Sequence, residues 1–134
     1  MKDMNRISVI GRVGKDPETH EFSSGDLKVS FSIATSDRWK DDQGNQKERT
    51  QWHNVAIVNQ GLAKIALDYV KKGSRVMVEG AMEYREWTDD QGVKRNASEI
   101  ALRPFGEGRL VLLDQKKEQS QQSGNERTSQ PRPR

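Results

Sequence analysis

The 134-residue chain has no cysteine, which excludes disulfide bracing, thiol nucleophiles and thiolate metal sites. It has two histidines, His20 and His53, far apart in sequence, so neither a metal site nor a cofactor is expected. No apolar run approaches the roughly 20 residues a membrane-spanning helix needs. The polar start, residues 1–6, leads straight into a strand pattern, so no signal or transit segment is expected and the default location is cytoplasmic. Only 31% of residues are hydrophobic and the mean hydropathy is −1.00, so the chain has a small core, a polar tail, or both. Charge of either sign is barely in excess: 23 basic against 20 acidic residues, net +3. Any cationic surface must therefore come from placement rather than bulk charge. Aromatics make up 6%, so the positions of the three tryptophans matter.

Strands dominate what is present. In Gln51-Trp52-His53-Asn54-Val55-Ala56-Ile57-Val58, Val55 and Ile57 share one parity, Trp52 and Val58 the other. A strand sends alternate side chains to opposite faces, so a core-facing Val55–Ile57 pair puts Trp52 outside. Residues 5–13 read as a strand bent or bulged at Gly11. Gly14-Lys15-Asp16-Pro17 reads as a turn, not a phosphate loop, because the spacing is short and no helix follows. Leu27, Val29, Phe31 and Ile33 alternate with polar or small residues in the clearest half-buried strand. Residues 35–50 are polar and read as an extended hairpin carrying Trp39. The period then changes: Leu62, Ile65, Ala66, Tyr69 and Val70 predict an amphipathic helix over 61–72, with Lys71 and Lys72 at its C-terminus and Gly73 as a left-handed cap. Val76, Val78, Met82 and Tyr84 share one parity across a bend at Gly80; Arg75, Glu83, Arg85 and Trp87 take the other. Residues 88–92 form a turn, 94–102 a returning strand, and 110–113 a last short one.

From Asp114 onward apolar periodicity stops. Residues 114–134 hold five basic and three acidic residues and too little apolar surface to offset ordering entropy, so a disordered, basic tail is expected after a domain over 1–113.

Five strands with one helix between the third and fourth predict an all-β, Greek-key barrel of the OB type, whose outer face and hairpins bind oligonucleotides or oligosaccharides. Trp52 lies on the outer face, Trp39 on the hairpin leading into it, and Trp87 near the tip of the next hairpin. Such rings stack on bases of any identity, and neighbouring cations neutralise phosphates. Arg6, Arg12, Lys40, Lys72 and Arg85 are nominated for that role, from a wider basic set that includes Lys28.

The residues also carry a resemblance. Ile10-Gly11-Arg12-Val13-Gly14-Lys15-Asp16-Pro17-Glu18, Phe31-Ser32-Ile33-Ala34-Thr35-Ser36, Gln51-Trp52-His53-Asn54-Val55, the run from Leu62 to Ser74, Val78-Glu79-Gly80 and Trp87-Thr88-Asp89 occur in an order similar to that of the bacterial-type single-stranded DNA-binding (SSB) proteins, across about residues 4–113. The resemblance implies an OB-fold homotetramer, nucleoid-associated in the cytoplasm. It would coat single-stranded DNA with little sequence preference during replication, recombination or repair. It carries the stacking role to Trp39, Trp52 and Trp87, and a subunit-interface role to His53.

Departures from the family pattern are informative. Val58 stands where a further stacking ring is usual. Glu83 and Glu86 stand where the hairpin is usually basic, and both departures predict weaker or more salt-sensitive binding. The chain ends Gln130-Pro131-Arg132-Pro133-Arg134 rather than in an acidic tip, so recruitment of repair and replication proteins through such a tip is not expected. No nucleophile elbow, metal-ligand spacing or carboxylate pair beside a histidine points to an enzyme. The competing reading is an OB-fold RNA-binding or primosome-type protein, since stacking alone does not distinguish DNA from RNA.

Overall fold

Alternation in residues 27–33 becomes a barrel wall: Val29, Phe31 and Ile33 are buried, and Val55 and Ile57 face them from the next strand. The computed structural model describes residues 3–106 and 108–114. The elements run β1 (Ile7–Val13), β2 (Glu18–Glu21), β3 (Leu27–Lys40), β4 (Gln46–Ile57), α1 (Gln60–Tyr69), β5 (Arg75–Thr88), β6 (Lys94–Leu102) and β7 (Arg109–Leu112). Five of them close a ring in the order β1-β3-β4-β6-β5, with β5 returning to β1. The β4–β6 seam is parallel; the other pairings are antiparallel. This is the expected OB-type barrel, with α1 between its third and fourth strands. The expected tail lies outside the described residues except for Asp114, whose carboxylate accepts a bond from the Arg75 amide at 3.2 Å.

Two glycines stand where strands change partners. β1 pairs with β5 up to Arg12, then with β3 from Arg12 onward. A Cβ on Gly11 would collide with the Ala34 carbonyl. β5 leaves β1 at Gly80 and reaches β6 at Ala81; a Cβ on Gly80 would sit 2.5 Å from the Ala101 oxygen. Both bends expected from the sequence are thus close backbone approaches that close the barrel.

The two long hairpins, β3–β4 and β5–β6, end in the same four residues, Asp41-Asp42-Gln43-Gly44 and Asp89-Asp90-Gln91-Gly92. In each tip the first carboxylate accepts from the amides two and four residues on, at 2.8–2.9 Å. The glycines adopt φ of 82° and 79°, a left-handed conformation that L side chains rarely take. The backbone bonds, led by Asn45 and Val93, hold the Asp41 and Asp89 carboxyls below the ordinary range.

Three expectations are corrected. The helix ends at Tyr69, with Val70 extended at its C-cap. Lys71, Lys72 and Gly73 form the following turn, closed by Ser74 N–H donating to the Lys71 carbonyl at 2.9 Å. The buried helix face is Ala63 and Ala66, continued by Val70, with Leu62 packed beside it; Ile65 and Tyr69 are exposed. Small residues face the core because α1 lies directly across β3 and β4, its start tied there by Gln60, which bridges both polar groups of Leu27 at 2.8 and 2.9 Å. Tyr84, on the parity of Val76 and Val78, is 78% exposed, because β5 has by then left the barrel as a hairpin arm. β2 is a finding without an apolar signal: Glu-Thr-His-Glu, exposed throughout, exists as a strand by pairing with residues 27–30 of β3.

Candidate nucleic-acid interface

Register and parity place the outward side chains of β3, β4, β6 and β5 on one continuous face. Ser32 lies opposite Asn54, and Ser30 opposite Ala56. Ala56 pairs in turn with Ala101, Ala97 with Arg85, and Arg95 with Trp87. Trp52 opens this face at one end, opposite Ala34. Trp52 is 61% exposed, and its ring lies over Gly14, where a Cβ would come within 2.5 Å of the indole. Trp87 lies at the other end on the β5–β6 hairpin, 42% exposed. The Arg85 guanidinium sits 4.8 Å from the Trp87 ring centre and 3.5 Å from the Glu99 carboxylate, so the cation both supports the ring and is partly neutralised.

Between the rings the face is shallow and polar. One depression of about 370 Å³ is lined by Lys15, Lys28, Ser32, Asn54, Arg85 and Glu99, among others. The adjoining one, about 340 Å³, includes Lys28, Val58, Glu83 and Arg103. Arg103 donates two bonds to Glu83 at 2.6 and 2.9 Å. That pairing holds the Glu83 carboxyl below its ordinary range and raises the Arg103 guanidinium. Cations and carboxylates alternate here, so stacking surface rather than net positive charge distinguishes the face.

The nominated residues separate on the structure. Trp52, Trp87 and Arg85 share the face, and Lys40 continues its parity along the β3–β4 hairpin. Trp39 does not: it lies opposite Lys47, on the parity of Ile33 and Thr35, and so on the reverse of the ribbon from Trp52, 46% exposed. Trp52 stands opposite Ala34, an odd number of positions from Trp39 along β3, so strand alternation puts the two rings on opposite faces although they share a hairpin. Arg12 donates to the Gly73 carbonyl at 3.0 Å and lies 3.8 Å from Asp114, next to the turn after α1. The Lys72 amide is bound by Asp16 at 2.8 Å, which draws Lys72 beside the β1–β2 loop. Arg6 lines a separate hollow with Met4 and Phe105. His53 shares a hydrogen bond of 3.0 Å with Thr35 and is half-buried. Arg103 and Phe22 line the same hollow as Val58 without having been nominated. Each follows a strand rather than lying in one, so no alternation flagged them.

Residues 4–106 match the single-strand binding protein family. The chain belongs to that family. The single-stranded DNA-binding protein of Rickettsia typhi is 37% identical over 123 residues, covering 91% of this chain and 80% of the relative; that of Rickettsia prowazekii matches equally. Among solved structures, the Plasmodium falciparum SSB in complex with single-stranded DNA superposes with a TM-score of 0.76 at 34% identity, covering 85% of this chain and 98% of that one. Members of this single-strand binding family are DNA-binding proteins rather than enzymes, and typically tetrameric. Among the described residues no helix is long and apolar enough to cross a membrane.

Proposed function

We propose that this chain coats single-stranded DNA without strong sequence preference, stacking bases on Trp52 and Trp87 while Arg85, Lys40 and other cations neutralise phosphates. The observation that carries the reading is two exposed tryptophans on one face, joined by a shallow polar groove. An enzyme would enclose its substrate; an open shelf suits a strand passing over it. Trp39 takes part from the reverse of the β3–β4 hairpin, which requires the strand to pass around the ribbon edge. Arg6, Arg12 and Lys72 are assigned to flanking phosphate contacts. The protein acts in the cytoplasm as a homotetramer, with His53 near a subunit contact, and protects DNA exposed during replication, recombination or repair. The division into a binding domain over 1–113 and a basic tail belongs to the same proposal.

Titration of intrinsic fluorescence with poly-dT tests the reading. Strong quenching that saturates at a fixed nucleotide ratio is expected, with Trp52→Ala and Trp87→Ala each weakening binding. Quenching by poly-U but not by poly-dT would overturn it in favour of an RNA-binding role.

A further inference from the structure

The groove does not end at Val58. Across it, at the end of β2, stands Phe22, which is outside the hydrophobic core and 39% exposed. It lines the 340 Å³ depression that also contains Val58, and an adjoining one of similar volume lined by Glu18, His20 and Ser30. Lys28 lines both, as well as the larger depression between the tryptophans. The three hollows therefore form one track with Phe22 at its far end and Lys28 along it.

The backbone that carries the ring is held in place. The Phe22 amide donates to the Asp26 carbonyl at 2.8 Å, and the Phe22 carbonyl accepts from Gly25 at 2.9 Å. His20, two residues back on the same face of β2, meets the ring edge to face, with centroids 5.1 Å apart and planes at 76°. Two aromatic rings at nearly a right angle form a corner on an otherwise polar shelf. β2 buries none of its side chains and Phe22 just beyond it lies outside the core cluster, so core packing does not explain the aromatic pair.

We infer that Phe22, braced by His20, is a further base-stacking station of the groove, taking one nucleobase of the bound strand while Lys28 meets the adjoining phosphate. The inference rests on the proposed binding face and extends it beyond the tryptophans. A ring carried on a pinned backbone and braced edge to face by His20 loses little freedom when a base stacks on it. A stacked base is worth about 1–3 kcal/mol in alanine scans, so removing the ring lowers affinity on the order of fivefold or more per engaged protomer.

The test measures affinity of the full chain for fluorescein-labelled oligothymidylate and for a strand of the same length built of abasic residues. Phe22→Ala and Phe22→Leu are both expected to weaken oligothymidylate binding at least about fivefold, and Phe22→Tyr to restore it. On the abasic strand all three bind as the unsubstituted chain does. The slope of log affinity against log salt stays unchanged for Phe22→Leu and becomes shallower for Lys28→Ala, because only the latter releases fewer counterions. Wild-type affinity of Phe22→Leu for oligothymidylate, with Trp52→Ala impaired, would overturn the inference and leave the binding face intact. If Trp52→Ala were also unimpaired, the binding face itself would fall. An equal loss on the abasic strand would overturn the stacking role and make Phe22 a structural residue.

Discussion

Glu83 and Arg103 show how pairing on one face sets the charge available to a ligand. The bidentate bond occupies the Arg103 guanidinium and holds Glu83 ionised. Glu83→Gln removes the negative partner while keeping shape. Tighter single-stranded DNA binding is expected, with a salt slope steeper by about 0.7 for the one added phosphate contact, read from titrations at several salt concentrations. The sign with pH follows from the direction of the shift. A carboxyl with a depressed folded pKa contributes its stability above the ordinary carboxylate range, and that contribution disappears as pH falls through the folded value. Acid therefore frees Arg103 as the glutamine does. Val58 offers a second test. It borders the same hollow as Phe22, so Val58→Phe adds a ring to the track and is expected to tighten binding several-fold in the fluorescence titration.

The hairpins stand clear of the core because their strands outrun the barrel. Only the last three of the twelve residues in β4 are buried, and β5 is exposed from Tyr84 onward. The arms depend on cross-strand pairing and on the Asp-x-x-Gly tips. Gly92→Val puts a β-branched side chain at φ 79°, which strains the turn. Trp87 should then lose its fixed position, so faster amide exchange at Val93 and weaker quenching by poly-dT are expected, with little change in the barrel melt. Acid loosens both tips for the reason given for Glu83. Asp41 and Asp89 have lowered pKa values from backbone bonds led by Asn45 and Val93, so protection of those two amides should persist at neutral pH and vanish below the carboxylate range.

At the scale of the whole molecule, a small core holds a large exposed surface. Ile33 is fully buried at the centre of β3, and Ile33→Ala should cost about 2–5 kcal/mol through lost burial and the cavity left behind. A thermal melt checks this. The binding arms should fail together with the barrel, since they are continuations of its strands. Light scattering beside the poly-dT titration gives the subunit count and the nucleotides bound per chain.

Much of this was legible in the linear chain because a barrel strand has a period of two and a helix a period near four. Val29, Phe31, Ile33, Val55 and Ile57 announced the core. Gly11 and Gly80 marked the bends, and Trp52 declared its outward side by parity. These properties depend on neighbours in sequence. What only the tertiary structure decided depends on partners far along the chain. β2 exists because β3 lies beside it. Tyr84 is exposed because β5 has left the barrel, and Ala63 rather than Ile65 faces the core because of where β3 and β4 run. Trp39 and Trp52 lie on opposite sides of one ribbon because their register, fixed by twelve cross-strand pairs, joins odd positions to odd and even to even. Phe22 and Val58 line one hollow, a grouping with no trace in the spacing of either residue.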